Sequence, residues 1–379
     1  MKKILLITLL LLLSQGLLIA QNTITVPREK VLSKQGEIVQ QSIDLFPLEP
    51  GIGKVKIKSI NIQNISSMRL HFKINDNAPT TPSWAIQIKD GTGKVSSIIS
   101  ASTITGKDFW SDEIPGSTAT VEIISILEDD SSRRLELKIF EVAKLTTPSA
   151  PESITEPNQL EAFAGSLPAP VKSAGKSVAR LRFIGDDGGS YVCTGFLISK
   201  DLFMTNNHCI KTATEMRSGL VDFDFDEDGA PQTGYRFKEL ILTSSDLDFS
   251  LLRLAKAVPA ERGFFTLLSS KPVENQQLII IQHPGGEPKK VSRADCIVVT
   301  PSIDGISRQL TDFSHKCDTK GGSSGSPVVD SDFKVVGLHH LGFDTANQVL
   351  VNRAVRIGLI IDFIRREKPS VLTELGIPN

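Results

Sequence analysis

Between Asn22 and Lys144 apolar and polar residues alternate in short runs: Val55-Lys56-Ile57-Lys58-Ser59-Ile60, Leu70-His71-Phe72-Lys73-Ile74, Trp84-Ala85-Ile86-Gln87-Ile88, Ala119-Thr120-Val121-Glu122-Ile123 and Leu135-Glu136-Leu137-Lys138-Ile139. A period of two places every second side chain on one face, so each run predicts a half-buried strand. Asp90-Gly91-Thr92-Gly93 and Pro115-Gly116 punctuate them as turns. Several such strands at short spacing predict an antiparallel β-sandwich over 22–144. Both tryptophans, Trp84 and Trp110, fall in it, either packing its core or lining a ligand site. The alternation fails at Leu145-Thr146-Thr147-Pro148-Ser149-Ala150-Pro151, and prolines recur at 157, 168 and 170. This predicts an exposed linker over 145–170, within reach of a processing protease.

Strand text resumes after Val171, with Val178-Ala179-Arg180-Leu181-Arg182-Phe183 and Val192-Cys193-Thr194-Gly195-Phe196-Leu197-Ile198. Near the end Ala354, Ile357, Ile360, Ile361 and Ile364 recur at helical spacing, Arg365 and Arg366 suit a last turn, and Pro369 is expected to stop growth. The whole predicts an all-β chain: a sandwich, then two β-barrels over 171–379 with one amphipathic helix packed behind them. There is no internal repeat.

Ahead of the strands, Met1-Lys2-Lys3 precedes an almost wholly apolar run from Ile4 to Ala20, followed by Gln21. A basic start, an apolar core and small residues before a polar one describe a secretory signal peptide over 1–20. The alternative is a membrane anchor, for which the run is barely long enough. Export, to the periplasm or the medium, is therefore expected. The net charge of −1 over 379 residues provides no global field to recruit nucleic acid or an anionic membrane. Export permits disulfides, and the four cysteines fall as two sequence-local pairs, Cys193 with Cys209 and Cys296 with Cys317. Neither pair has zinc-knuckle spacing, so bridges are expected rather than a metal site.

Acyl transfer to a serine needs an exposed hydroxyl, a base for its proton and donors for the oxyanion. Gly321-Gly322-Ser323-Ser324-Gly325-Ser326-Pro327-Val328 suits the first and third, because glycines allow a sharp turn that aims successive N–H groups at one point. The N–H groups of Gly322 and Ser324 are the expected oxyanion donors. Leu202-Phe203-Met204-Thr205-Asn206-Asn207-His208-Cys209 ends an apolar strand on a histidine that a Cys193–Cys209 bridge would pin. In Ser245-Asp246-Leu247-Asp248-Phe249-Ser250-Leu251-Leu252, Asp248 precedes an apolar run that would carry it inward. A buried carboxylate needs a partner such as an imidazole N–H.

In this order, Thr-Asn-Asn-His-Cys, Asp-Phe-Ser-Leu-Leu and Gly-Ser-Ser-Gly-Ser-Pro-Val resemble the chymotrypsin-like serine proteases. The closest likeness is to the bacterial branch with the V8-type glutamyl endopeptidases. Gln282-His283-Pro284-Gly285-Gly286 is similar to the Pro-Gly turn of such proteins. The resemblance covers roughly Val171 to Glu367 and implies a chymotrypsin-like double β-barrel. It also implies Ser324 as nucleophile, His208 as general base and Asp248 as the residue that orients it, Asp246 being the rival. Ser323 stands where the animal enzymes carry a buried Asp, so no salt bridge from that position to a new N-terminus is expected to drive activation.

For the first specificity pocket the resemblance points two ways. Asp318 lies six residues before Ser324, where trypsin-like enzymes hold the acid that pairs with Lys or Arg. Thr319 and His339 match positions that glutamyl endopeptidases use for an acidic side chain. Cleavage after Glu or Asp is the preferred reading, and His340 is left as a structural histidine. The run Asp222-Phe223-Asp224-Phe225-Asp226-Glu227-Asp228-Gly229 resembles a calcium loop, but Tyr235 stands where an EF-hand needs Glu, so a solvated acidic loop is expected. The expected protein is a cofactor-free monomer acting on proteins or peptides, with the sandwich as pro-segment or accessory module. The competing readings are an ester hydrolase and a non-catalytic binding protein on a protease scaffold.

Overall fold

The computed structural model describes residues 32–45, 55–75, 84–101, 104, 106–125, 136–146, 152–153, 157–230, 234–342 and 352–378. The signal-peptide reading lies outside them. Among the described residues no helix is long and apolar enough to cross a membrane.

The alternating runs form the sandwich. One antiparallel sheet orders Val55–Asn61, Thr118–Ser125, Trp84–Asp90 and Val95–Ser100. In Trp84–Asp90 the period is literal: Trp84, Ile86 and Ile88 are buried while the residues between them are half-buried. They meet Leu70, Phe72, Leu137 and Ile139 from a facing sheet built on Ser33–Asp44, Leu137–Leu145 and Ser67–Ile74. Trp84 is a core residue. Trp110 stacks on His71 and lies against Arg69.

Strand Ser33–Asp44 has a second partner. Its first residues pair with Gly189–Leu197, Ser33 opposite Val192 and Glu37 opposite Gly189, so the sandwich sheet runs on into the next domain. Gly36 sits where this strand crosses Lys144, whose carbonyl oxygen would be 1.8 Å from an added Cβ. Side chains reinforce the junction. The buried Arg69 donates to the carbonyls of Ser111 and Ser218 at 3.1 and 2.8 Å, Arg236 pairs with Asp112 at 2.9 Å, and Arg182 pairs with Glu113.

Two curled antiparallel sheets follow. The first contains Val178–Ile184, Gly189–Leu197, Leu202–Thr205, Phe249–Leu254 and Phe237–Ser244 around Phe183, Phe203, Phe223 and Leu252. The second runs Glu161–Ala162, Lys290–Ser292, Ile279–Gln282, Pro327–Val329, Lys334–Leu341, Asn352–Arg356, Asp312–His315 and Val298–Ile303. Helix Ile357–Glu367 buries Ile357, Ile360, Ile361 and Ile364 against Phe196 and Leu251 of the first sheet and Val335 and Leu338 of the second.

Four details differ from the sequence reading. Ala354 belongs to strand Asn352–Arg356, not to the helix, because its register pairs it with Phe313 and His339. Helix Ile357–Glu367 does stop before Pro369 as expected, but Pro369 then opens a second helix, Pro369–Glu374, since a first-turn position needs no N–H donor. The prolines around 168–170 likewise start helix Ala169–Gly175, Glu152–Ser153 pairs with Thr319–Lys320 as a separate two-stranded sheet, and Glu161–Ala162 joins the edge of the second sheet at Lys290–Val291. The acidic run is not solvated at its start. Asp222 is fully buried between Arg180 and Arg182, at 3.2 and 2.7 Å, while Asp224 pairs with Arg262 and Asp226 with the buried Lys289. Burial alone would raise the Asp222 carboxyl, but the two guanidinium groups outweigh it and hold it below the ordinary range.

Candidate active site

The apolar run of Leu202–Thr205 pairs with Phe249–Leu254, Thr205 opposite Ser250, so His208 and Asp248 leave the sheet at the same end. Asp248 takes a left-handed backbone, φ 40°, at the close of a turn in which its N–H reaches the carbonyl of Ser245. Aspartate tolerates that conformation better than most residues. Asn206 donates to the Asp248 carbonyl at 2.8 Å, and the backbone N–H of His208 donates to Asp248 Oδ1 at 2.9 Å. With backbone and carboxylate both held, His208 Nδ1 meets Asp248 Oδ2 at 2.7 Å. Asp246 is exposed.

Ser324 follows Gly322, whose φ of 98° is open to glycine, and precedes Gly325, whose φ is 87° and whose added Cβ would lie 2.0 Å from the Thr194 carbonyl oxygen. Strand Gly189–Leu197 grips this loop. Thr194 donates its N–H to the Ser324 carbonyl at 2.8 Å and its hydroxyl to the Gly322 carbonyl at 2.9 Å. The turn at Pro284–Gly286 supports the loop from behind, with the Gly285 N–H on the Gly321 carbonyl at 2.6 Å. Ser323 braces the loop internally, its hydroxyl taking the Lys320 N–H at 3.1 Å. Among the described residues the N–H groups of Gly322 and Ser324 donate to no carbonyl.

The Ser324 hydroxyl points to the carbonyl of His340 at 3.5 Å, and the ring of the same His340 reaches Asp248 Oδ2 at 3.1 Å. One residue thus touches both the serine and the aspartate. The other ring nitrogen, Nε2, meets Asp312 Oδ2 at 2.8 Å. No short-range signal in the sequence pairs these residues, because Asp312 and His340 sit on strands separated by Asn352–Arg356.

The pocket residues separate. Asp318 is buried with its carboxylate on the N–H of Gln159 at 2.8 Å, and its own N–H is on the Ser292 hydroxyl. Thr319 is buried, and among the described residues its hydroxyl has no partner. His339 is buried with Nδ1 3.2 Å from His315 Nε2. The cysteines form two bridges, Cys193–Cys209 and Cys296–Cys317. The first lies beside His208, and its sulfurs, bonded to each other, are not thiolate ligands. A separate cleft of about 400 Å³ between sandwich and first sheet, lined by Phe109, Trp110 and Arg236, contains none of these residues.

Burial dominates the histidine electrostatics. Burial, with Lys289 and Arg180 adding to it at His283 and neighbouring histidines at His339, holds His283 and His339 well below the ordinary imidazole range, and His315 is lowered to about 3. Burial would lower His340 too, but Asp312 and Asp248 outweigh it and raise it to about 10. Burial would raise Asp248, and His208 and His340 together hold it down instead. For a histidine kept neutral in the fold, the unfolded chain binds the extra proton once pH falls below about 6.5, so stability declines on acidification. Each such group costs up to ~1.4 kcal/mol per pH unit below that point. His340 has the opposite sign: its contribution is complete below about 6.5 and is lost as pH climbs towards 10. Urea midpoints are expected to fall from pH 7 to pH 5, four lowered histidines, His71 among them, outvoting one; a midpoint that holds or rises over that range contradicts the assignment.

The trypsin-like peptidase domain family matches residues 193–338. The chain is 34% identical over 188 residues to secreted RxLR effector protein 73 of Plasmopara viticola, covering 45% of this chain and 46% of that protein. It is 25% identical over 308 residues to a lysyl endopeptidase of Pseudomonas aeruginosa (71% and 64%), and 23% identical over 181 residues to a glutamyl endopeptidase of Staphylococcus aureus (44% and 53%). The chain spans about half the length of the curated relatives it matches. The stretch shared with the lysyl endopeptidase is too long for residues 193–338 alone. Residues 193–338 thus match a trypsin-like peptidase domain, and the chain is similar to lysyl and glutamyl endopeptidases.

Proposed function

We propose that this chain is an exported serine endopeptidase that works through Ser324, His208 and Asp248. The observation that carries the reading is the 2.7 Å contact from His208 Nδ1 to Asp248, beside a serine on a glycine-framed loop. Asp248 holds the proton on Nδ1, which leaves Nε2 as the base. The reaction requires the Ser324 hydroxyl to turn from the His340 carbonyl, where it rests, to that base. As Ser324 Oγ bonds to the substrate carbonyl carbon, its proton passes to His208 and the carbonyl electrons move onto oxygen. The N–H groups of Gly322 and Ser324 meet that oxyanion; one such donor is worth about 3 kcal/mol of barrier. His208 then protonates the leaving amine, and water reverses the sequence on the acyl-enzyme. None of these steps calls for a cofactor.

The pocket favours an acidic side chain before the cut. A buried Thr319 hydroxyl without a partner among the described residues is a ready donor, and the neutral His339 can take a proton with the substrate carboxylate. Asp318, the competing determinant for Lys or Arg, is engaged by the backbone of Gln159. Matched peptides with Glu, Asp, Lys or Arg at that position decide between them; a preference for Lys, as the name of the Pseudomonas relative suggests, overturns the acidic reading. Two disulfides suit the oxidising side of a membrane. An organophosphonate probe tests the catalytic reading. Labelling of wild type and none of Ser324→Ala is expected, whereas an unlabelled wild type favours the binding-scaffold alternative.

A further inference from the structure

His340 lies 16 residues after Ser324 on strand Lys334–Leu341, buried to 1% exposure, with a carboxylate on each side of its ring. Nδ1 is 3.1 Å from Asp248 Oδ2 and Nε2 is 2.8 Å from Asp312 Oδ2. An ionised carboxylate only accepts, and a neutral imidazole has only one N–H to give. Both contacts are hydrogen bonds only when both ring nitrogens carry protons. Asp312 is fully buried and takes the Thr311 hydroxyl at 2.9 Å on its other oxygen. The cation therefore sits between two fixed anions.

We propose that Asp312 and His340 are positioning residues of the catalytic unit: Asp312 keeps His340 an imidazolium, and His340 in turn clamps the Asp248 carboxylate that orients His208. The proposal rests on the serine protease reading and extends its triad to Asp312–His340–Asp248–His208. The clamp acts from the side of Asp248 opposite the His208 backbone N–H, so the carboxylate cannot rotate without losing a charged hydrogen bond. His340 also carries the carbonyl on which the Ser324 hydroxyl rests, so ring and backbone tie both ends of the triad to one strand. Other charged or titratable groups facing this site are His208, His315 and His339 around the ring, and Arg356 near Asp312. The raised proton affinity of His340, about 10, fits a cation that persists through the working range.

The test reads the ring directly. In the full chain, ¹⁵N spectra of histidine-labelled protein at pH 8.5 are expected to show one of the six histidines protonated on both nitrogens, and Asp312→Asn to lose that signal. In kinetics, wild type should hold kcat to above pH 9, while Asp312→Asn loses kcat 10- to 100-fold as pH rises through 7–8 with KM little changed. His340→Gln keeps an N–H for Asp248 without a titratable proton, so a reduced kcat with no new alkaline limb is expected. Wild-type spectra with every histidine ring neutral at pH 8.5, or an Asp312→Asn profile of wild-type shape, overturn the proposal. The spectra do not depend on turnover: failure of the protease reading leaves the imidazolium signal in place, and failure of this proposal removes it.

Discussion

Asp248→Asn is expected to lower kcat by roughly 10⁴-fold with a much smaller change in KM. The carboxylate accepts three N–H donors, two from His208 and one from His340, and an amide offers a single oxygen for them. Both rings share Oδ2 and the His208 backbone N–H takes Oδ1, so the NH₂ group faces either the two rings or that N–H. Against the rings, it drives His208 to the tautomer with its proton on Nε2, which is no base, and sets a donor against the His340 cation. Against the backbone, it removes the acceptor of the His208 N–H. Either way a buried donor goes unsatisfied, at about 1–3 kcal/mol of stability. Steady-state kinetics with a urea midpoint separate the two losses. A variant within tenfold of wild type removes Asp248 from the mechanism.

Removal of residues 22–144 is expected to leave the peptidase unable to fold. Strand Ser33–Asp44 covers Gly189–Leu197, the strand whose Thr194 grips the Ser324 loop, and without it Gly189–Val192 becomes a bare edge. Arg182 loses Glu113, Arg236 loses Asp112, and Ile184 loses Trp110 and Ala143. Gln35, near the start of the same strand, also reaches the Gly285 carbonyl of the turn behind the oxyanion loop, at 3.5 Å. Arg182 is buried while Arg236 and Asp112 are partly exposed, so only the first loss approaches the about 3–5 kcal/mol of a broken buried pair, against a whole-domain stability of about 5–15 kcal/mol. Circular dichroism and limited proteolysis of the truncated chain provide the check. A truncated form as stable and active as the full chain is the behaviour of a removable pro-segment and contradicts this expectation.

Much of the architecture was legible along the chain because it is written in local pattern. Alternation marked Trp84–Asp90 and its neighbours, and the 3.6 period marked Ile357–Glu367. Errors came where tertiary partners overrode local signals. Ala354 has the right spacing for the helix yet is claimed by a strand pairing, and the Asp222 run reads as hydrophilic yet begins between two buried arginines. The proline at 369 ended one helix as expected, and the prolines near 168 and 369 each open another, which the pattern did not announce.

The amino-acid order alone determined the sandwich strands, the closing helix, the two local cysteine pairs and three short motifs, since each is decided by neighbours within a few residues. Only the folded molecule decided that Asp248 rather than Asp246 faces His208, and that Asp318 turns to Gln159. The fold likewise decided that the sandwich and first barrel share a sheet, and that His340 stands between two aspartates. Those facts depend on strand register and on which faces meet across the core. Residues far apart in sequence have no means of recording such contacts locally.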